Sequence, residues 1–443
     1  MQIKLNKKHR RYSRHKNTGI PWLGEVPENW EVRKLKTLCK VKRGASPRPI
    51  DDPKYFDEDG EYAWVRISDV TASNTYLTET TQRLSFVGKN LSVPLKPNDL
   101  FLSIAGSVGK PMITKIKCCI HDGFVFFENL KYSKKLLYYI FYAGEAYKGL
   151  GKLGTQLNLN TETVGSIYLP NPSKEEQTAI ANYLDEKTAL LDQTIEAKRK
   201  QIELLKEKRT SLINQAVTSG IDENAEMKES GVEWIGEIPK SWEVSKLGFC
   251  LKKVNSGVTP KGGSESYSDE GIPLIRSLNV YSDGFRWENL AYIDEETYQN
   301  MSNSKVLKGD VLLNITGASI GRCFYYSGEF TKANVNQHVC ILRPNKNLFF
   351  KFLQYFLISR AGQEQVYLIQ MGTSREGLNY QQIKNFDICL PNFEEQQKIV
   401  TFLDSETQKI DQTIALIEKS ISLLEEYKTS LISNVVTGKV KIL

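Results

Sequence analysis

Two acid-free basic stretches hold the side chains best suited to grip a polyanion. Residues 32–50 contain Arg33, Lys34, Lys36, Lys40, Lys42, Arg43 and Arg48, and residues 244–264 contain Lys246, Lys252, Lys253 and Lys261. Each stretch carries a Gly/Pro turn, Gly44-Ala45-Ser46-Pro47 and Gly257-Val258-Thr259-Pro260. At such a turn backbone amides and Lys/Arg side chains can approach phosphates together. Arg66 and Arg276 sit on matching strand-like runs, 62–67 and 273–278, and as forked donors they could reach base edges. Structural ion pairing accounts for them equally well. A solvated lysine face is the plain alternative for either stretch alone; recurrence at equivalent positions favours nucleic acid. The candidate DNA-contacting set is therefore Lys42, Arg43, Arg48 and Arg66 in one half, with Lys253, Lys261 and Arg276 in the other.

Catalytic lookalikes fail. Gly106-Ser107-Val108-Gly109-Lys110 has the outline of a phosphate loop, but Ile104 takes the place of the first glycine and Pro111 that of Ser/Thr. Its twin, Gly317-Ala318-Ser319-Ile320-Gly321-Arg322, lacks the lysine, so a shared structural turn explains both. Asp52-Pro53-Lys54-Tyr55 brushes against the Asp-Pro-Pro-Tyr signature of amino-methyltransferases but lacks the second proline and has no counterpart in the other half. His9, His15, His121 and His338 do not cluster; His121 and His338 fall at comparable places on late strands, which suits packing or base contact rather than metal. No nucleophile–base pair or carboxylate cluster stands out, so the chain reads as a binder without its own metal or cofactor.

The frame that positions these residues is written twice. Gly19-Ile20-Pro21-Trp22-Leu23-Gly24-Glu25-Val26-Pro27 returns 212 positions later as Gly231-Val232-Glu233-Trp234-Ile235-Gly236-Glu237-Ile238-Pro239. Glu175-Glu176-Gln177, Leu184-Asp185, Asp192-Gln193-Thr194-Ile195 and Thr210-Ser211-Leu212-Ile213 return 219 positions later, from Glu394 to Ile432. Between the echoes the halves differ widely. Short strand-like runs and aromatic helical stretches at 136–147 and 349–359 read as mixed α/β or α+β. The expected division is a basic tail at 1–18, globular domains at 19–170 and 231–391, helices at 171–220 and 392–438, a linker at 221–230 and a short tail at 439–443.

Ser173 with Glu176, and Asn392 with Glu395, have capping-box spacing just after Pro170 and Pro391. Beyond them Leu191, Ile195, Lys198, Ile202, Leu205, Arg209, Leu212 and Ala216 alternate by fours and threes. The second copy runs Ile410, Ile414, Ile417, Ile421, Leu424, Lys428, Leu431 and Val435. This is a heptad seam, with Gly220 and Gly438 as natural stops. Either each helix packs on its own domain, or the two pair as one intramolecular coiled coil. A 25-residue seam is about 38 Å long, close to the roughly 34–36 Å of one DNA turn.

The net charge of +7 lies wholly in residues 1–18, which carry seven basic residues and no acid. The remainder balances, so binding by the body must come from local patches; the tail is a phosphate-binding arm or a solvated start. Seven cysteines without a C-x-x-C pair indicate neither a disulfide frame nor a zinc site, and a reducing cytoplasm fits. No run approaches the roughly 18–20 apolar residues of a membrane span.

The ordered set from Gly19 to Gly438 resembles the specificity subunit of type I restriction-modification enzymes. The residues that carry the likeness are Trp30-Glu31-Val32 and Trp242-Glu243-Val244, the Gly-x-[Ser/Thr]-Pro turns, Leu169-Pro170 and Leu390-Pro391 followed by Glu-Glu-Gln, and the two helical repeats. The resemblance implies two target recognition domains separated by two long helices in an antiparallel coiled coil, with a pseudo-two-fold internal repeat. It also implies that 19–170 and 231–391 read unlike halves of an asymmetric site on double-stranded DNA, and that the chain is non-catalytic. Two methyltransferase subunits and, through them, restriction/translocase subunits are the implied partners; S-adenosylmethionine, ATP and Mg are expected on those partners. A stand-alone DNA modification enzyme and a coiled-coil scaffold that binds only proteins are the competing readings.

Overall fold

The computed structural model describes residues 11–148, 150, 159–258, 263, 267–371 and 377–443. The chain forms two compact units, one from Met1–Lys198 with Lys419–Leu443 and the other from Arg199–Glu418. The second is one continuous stretch, whereas the first joins segments from both ends of the sequence.

In the first unit a five-stranded sheet has the order Lys40–Arg43, Phe124–Glu128, Leu100–Ser103, Pro111–Thr114, Tyr76–Leu77. A four-stranded sheet follows the order Gln82–Leu84, Tyr62–Val65, Cys118–Ile120, Val93–Leu95. Leu100–Ser103, Pro111–Thr114 and Cys118–Ile120 are buried at every position, so they read as unbroken apolar runs rather than alternating ones. The second unit repeats the plan with fewer strands: Leu251–Ser256, Val339–Pro344, Val311–Asn314, Cys323–Tyr325 in one sheet, and Ala291–Ile293, Ile272–Ile275, Asn334–Val335 in another.

The repeated motifs of the frame are interlocking parts of each unit. Trp30 is fully buried and its indole N–H donates to Glu176 Oε1 at 3.3 Å; Trp242 donates to Glu395 Oε1 at 2.8 Å. Glu176 and Glu395 also belong to the expected helix starts, where their backbone N–H groups donate to Ser173 Oγ (3.2 Å) and Asn392 Oδ1 (2.9 Å). The glutamine that follows returns to the preceding loop: Gln177 Nε2 donates to Pro172 O and Gln396 Nε2 to Pro391 O. Their Oε1 atoms accept from the backbone N–H of Ser133 and Phe349 near the starts of the aromatic helices Lys134–Tyr142 and Phe350–Ile358. About two turns further on, Asp185 takes the Tyr139 hydroxyl and Lys135, and Asp404 takes the Tyr355 hydroxyl and Lys351. The Glu-Glu-Gln and Leu-Asp echoes thus lock a long helix to an aromatic helix.

The two long helices are Lys174–Thr218 and Phe393–Val436. Within each unit the start of one lies antiparallel to the end of the other. In the first unit Lys428 donates to both carboxylate oxygens of Asp192, at 2.7 and 2.9 Å; in the second, Arg209 Nε donates to Asp411 Oδ1 at 3.1 Å. The basic residues in the apolar seam are therefore partners of the aspartates in the Asp-Gln-Thr-Ile echo. Leu191, Ile195, Ile202, Ile410, Ile417 and Leu431 are buried, and Leu205, Leu212, Ile414, Ile421 and Leu424 are half-buried. Toward the helix ends the buried face widens to include Ile213, Val217, Ile432 and Val436, which join the cores of the two units. At the stops, a Cβ on Gly438 would lie 2.4 Å from Pro27 and one on Gly220 3.3 Å from Trp242, and both glycines have positive φ.

Of the basic tail, His15–Asn17 forms a strand paired with Glu25–Pro27, and Tyr12 donates to Glu176; residues 1–10 lie outside the described ones. Among the described residues no helix is long and apolar enough to cross a membrane.

Candidate nucleic-acid interface

The Gly-x-Ser-Pro turn of the first unit folds against the turn His121-Asp122-Gly123. Gly44 is required there by proximity, not by its φ: a Cβ would stand 2.2 Å from His121 O and 2.6 Å from Ile120 O. This contact brings two of the expected arginines together. Arg43 Nε donates to the Asp122 carbonyl, Arg48 Nη2 to Asp122 Oδ2 at 3.3 Å, and Ser46 Oγ to Asp122 Oδ1 at 2.8 Å. The Ser46 hydrogen bond holds the Asp122 carboxyl below the ordinary carboxylate range, with Arg43 and Arg48 acting in the same sense against burial. Lys42, one residue earlier on the strand, turns to the other side and pairs with Glu128 at 2.7 Å.

Arg66 follows the strand Tyr62–Val65, whose Val65 lies beside Ile120, so it emerges next to the His121 turn. The sequence places Arg66 and Arg276 within strand-like runs, and here the structure corrects it. Both stand just past the strand end, as the N-cap of a short helical segment. Arg66 N–H donates to Asp69 Oδ2 (2.8 Å) and Arg276 N–H to Asn279 Oδ1 (3.0 Å), which turns the backbone out of the sheet. Arg66 is exposed, whereas Arg276 is half-buried, with Nη2 donating to Asn289 O and the guanidinium 5.6 Å from the Tyr267 ring.

In the second unit Gly257 packs against Val335 and Asn336, a Cβ there meeting Val335 O at 1.6 Å. The register Ile275↔Val335 matches Val65↔Ile120, so Asn336 corresponds to His121, Gln337 to Asp122 and His338 to Gly123. The two histidines therefore share a turn but stand two positions apart in it. His121 is half-buried beside Trp64 and Phe124, its Nδ1 accepts the Gly123 N–H, and partial burial pushes its pKa down. His338 instead bonds Thr316 Oγ1 through Nδ1 at 2.5 Å, with Gln337 Nε2 2.9 Å from Nε2. Lys253 lies near the far end of its strand, opposite Arg343, and Lys261 falls outside the described residues.

The lookalike motifs resolve into structure. Lys110 is spent on the carbonyls of Thr71 and Ser73, while Ser107 meets the Thr71 hydroxyl at 2.7 Å. Ile104 and Ile315, just before the two glycine turns, donate to the carbonyls of Gly123 and His338. Tyr55 is buried and donates to Arg48 O, bracing the arginine loop. Sequence reasoning missed Ser46, Asp122, Asn336, Gln337 and Thr316. Only Ser46, inside the repeated Gly-x-[Ser/Thr]-Pro motif, left a readable signal.

The family model of the type I restriction modification DNA specificity domain matches twice, at residues 27–204 and 239–426. The MjaVIII specificity subunit of Methanocaldococcus jannaschii is 25% identical over 431 residues, covering 94% of this chain and 94% of its own. The EcoBI specificity subunit of Escherichia coli is 28% identical over 277 residues, 59% of this chain and 57% of its own. Among solved structures, a chain from work on complex assembly and conformational transition of the type I R-M system superposes with a TM-score of 0.70 at 15% identity, over 93% of this chain and 98% of that one. The HsdS subunit of Thermoanaerobacter tengcongensis superposes at 0.51 and 16% identity, over 94% and 98%.

Proposed function

The chain belongs to the type I restriction modification DNA specificity family, and on that premise we propose that it selects the DNA site of such an enzyme without carrying out chemistry itself. Residues 19–170 read one half of a bipartite site on double-stranded DNA and residues 231–391 the other. The observation that carries this reading is one frame holding two unlike turns. Arg43, Arg48 and Arg66 surround His121-Asp122-Gly123 in one unit, while Arg276 stands beside Asn336-Gln337-His338 in the other. Different donors at equivalent places suit non-identical half-sites; identical readers would give a palindrome.

The paired helices set the distance between the half-sites and dock two methyltransferase subunits, with restriction/translocase subunits joining through them. S-adenosylmethionine, ATP and Mg act on those partners, and the base to be methylated is flipped into a partner's pocket. Deleting seven residues from each helix, between Leu191 and Ala216 and between Ile410 and Val435, removes two turns from both strands of the coil. At 1.5 Å per residue the rod loses about 10 Å, equal to about three base pairs at 3.4 Å each. Mapping methylated adenines genome-wide in cells carrying the variant and its methyltransferase should show both half-sites unchanged and the gap about three base pairs shorter. An unchanged gap removes the ruler from the proposal. Methyl transfer to duplex DNA by the purified chain alone would favour the stand-alone enzyme instead.

A further inference from the structure

In each unit a short 3-10 turn crosses a short helix with a glycine on one side and a lysine on the other. In the second unit the turn Leu247–Cys250 meets the helix Tyr380–Lys384, and a Cβ on Gly248 would stand 3.0 Å from the Lys384 Cβ. In the first, the turn Leu35–Thr37 meets the helix Thr161–Ser166, and a Cβ on Gly165 would stand 3.4 Å from the Lys36 Cβ. The N-caps Asn160 and Asn379, and the buried Leu35 and Leu247, fix the alignment. Lys36 corresponds to Gly248, and Gly165 to Lys384. Lysine and glycine have changed elements.

Close approach favours a small residue on the turn of the second unit, where the contact would be tight, whereas 3.4 Å in the first is ordinary van der Waals contact. A cation supplied once by the turn and once by the helix is not explained by packing. In the second unit it borders a groove of about 330 Å³ lined by Lys246, Lys252, Lys253 and Lys384, with Phe249 at its rim. Lys246 pairs with Asp387 at 2.6 Å, but among the described residues Lys252, Lys253 and Lys384 have no ion-pair partner. Lys253 is held below the ordinary lysine range by burial first and then by the charge of Arg343, with Asp310, the ion-pair partner of Arg343, acting in the opposite sense. In the first unit Lys34 lies 5.0 Å over the Tyr168 ring and Lys36 and Lys40 are exposed, again without an acid partner among the described residues. Phe249 is 79% exposed, but its counterpart is Thr37, so charge and not an apolar contact is what the two units share.

We propose that this crossing is a second polyanion site in each unit, taking DNA phosphates outside the bases that are read. Five residues of extended strand separate Lys252 from Gly257, about 17 Å, or the rise of about five base pairs. A duplex seated on the reading turn therefore has phosphates to offer at that distance. The inference rests on the DNA-reading function proposed above.

Full-length chains carrying K252Q/K384Q or K36Q/K40Q test it, by fluorescence anisotropy from about 50 to 200 mM salt. One probe is a duplex bearing the mapped site and the other its scrambled counterpart. Each phosphate released from contact flattens the slope of log K against log salt by about 0.9, so each double variant should lose about 1.8. Affinity should fall by the same factor on both duplexes, and K252R/K384R should restore the slope. Unchanged slopes overturn the proposal, and loss of methyltransferase association with unchanged slopes would assign the groove to an acidic protein surface. The slope is read on the scrambled duplex as well, so a wild-type chain that shows no preference for its site counts against the reading function alone.

Discussion

Replacing Asp192 with alanine should destabilise the first unit more than replacing Lys428 with methionine, although both changes delete one ion pair. The difference lies in the group left behind. The Lys428 side chain is 13% exposed and that of Asp192 is 48% exposed. Without Asp192 the half-buried lysine keeps the Tyr142 ring, 5.0 Å from Nζ. A cation–π contact of about 0.5–1 kcal/mol replaces only part of a charged hydrogen bond of about 1.5–3 kcal/mol. The expected cost of Asp192→Ala is therefore about 1–2 kcal/mol. Lys428→Met keeps the apolar stem in the seam and leaves the carboxylate in water, so its cost should stay within about 0.5–1 kcal/mol, as for exposed pairs. The double variant should resemble Lys428→Met, a coupling of about 1–2 kcal/mol. A chain of two units need not unfold in one step, so the readout is hydrogen exchange of amides in 174–198, which reports local opening. Exchange should quicken about five- to thirtyfold in Asp192→Ala. Equal losses of protection in the two single variants, or additive losses in the double, would refute the reasoning.

Gly44→Ala and Gly257→Ala should each disrupt the reading turn of one unit, because the new Cβ meets backbone oxygen at 2.2 or 1.6 Å. A cost of about 1–3 kcal/mol follows for overpacking, and binding to duplexes mutated in one half-site should show loss of the matching half-site only. Glu395→Ala orphans the buried Trp242 N–H and should cost about 1–3 kcal/mol, whereas Glu395→Gln keeps the acceptor and should cost less than about 1 kcal/mol; exchange at 393–400 compares them, and equal losses would exclude the anchor. Asp122→Asn releases Arg48 from an exposed pair worth about 1 kcal/mol or less, while Arg43 keeps the Asp122 backbone carbonyl. Scrambled-duplex affinity should rise up to about fivefold while discrimination at the first half-site falls, and competitive binding with an unchanged ratio would contradict this.

What the sequence makes legible is local or periodic. The capping pairs Ser173/Glu176 and Asn392/Glu395 lie three residues apart and mark the helix starts. The seam repeats every three or four residues, and its basic intrusions, Arg209 and Lys428, find their aspartates once the helices are antiparallel. The reading turns are hidden because their partners are distant: Asp122 is 74 residues from Arg48 and 79 from Arg43. The strand ends at Arg66 and Arg276 are hidden for a different reason. Asp69 and Asn279 stop them through a side-chain bond to the backbone, and nothing in their composition separates that role from an ordinary polar position. Histidine identity misleads as well. His121 and His338 differ by 217 positions, whereas the strands before them align Ile120 with Val335, a shift of 215.

The exchange of helix ends explains why the frame outlasts its inserts. The helix that leaves the first reader completes the second unit, where Ile213, Ala216 and Val217 join Trp242 and Leu247 in one core. The helix that leaves the second reader completes the first, where Ile432, Val435 and Val436 join Trp30 and Leu35. Each core therefore depends on residues from both repeats, and a change in Trp30, Glu176 or Gly438 is felt through a segment far away in sequence. The reading turns carry no such double duty. Their residues touch their own sheets and one another, so they can diverge without loosening the helices. Stability thus ties the frame together across both copies and leaves the turns free to differ, and difference there is what the proposed asymmetric target would require.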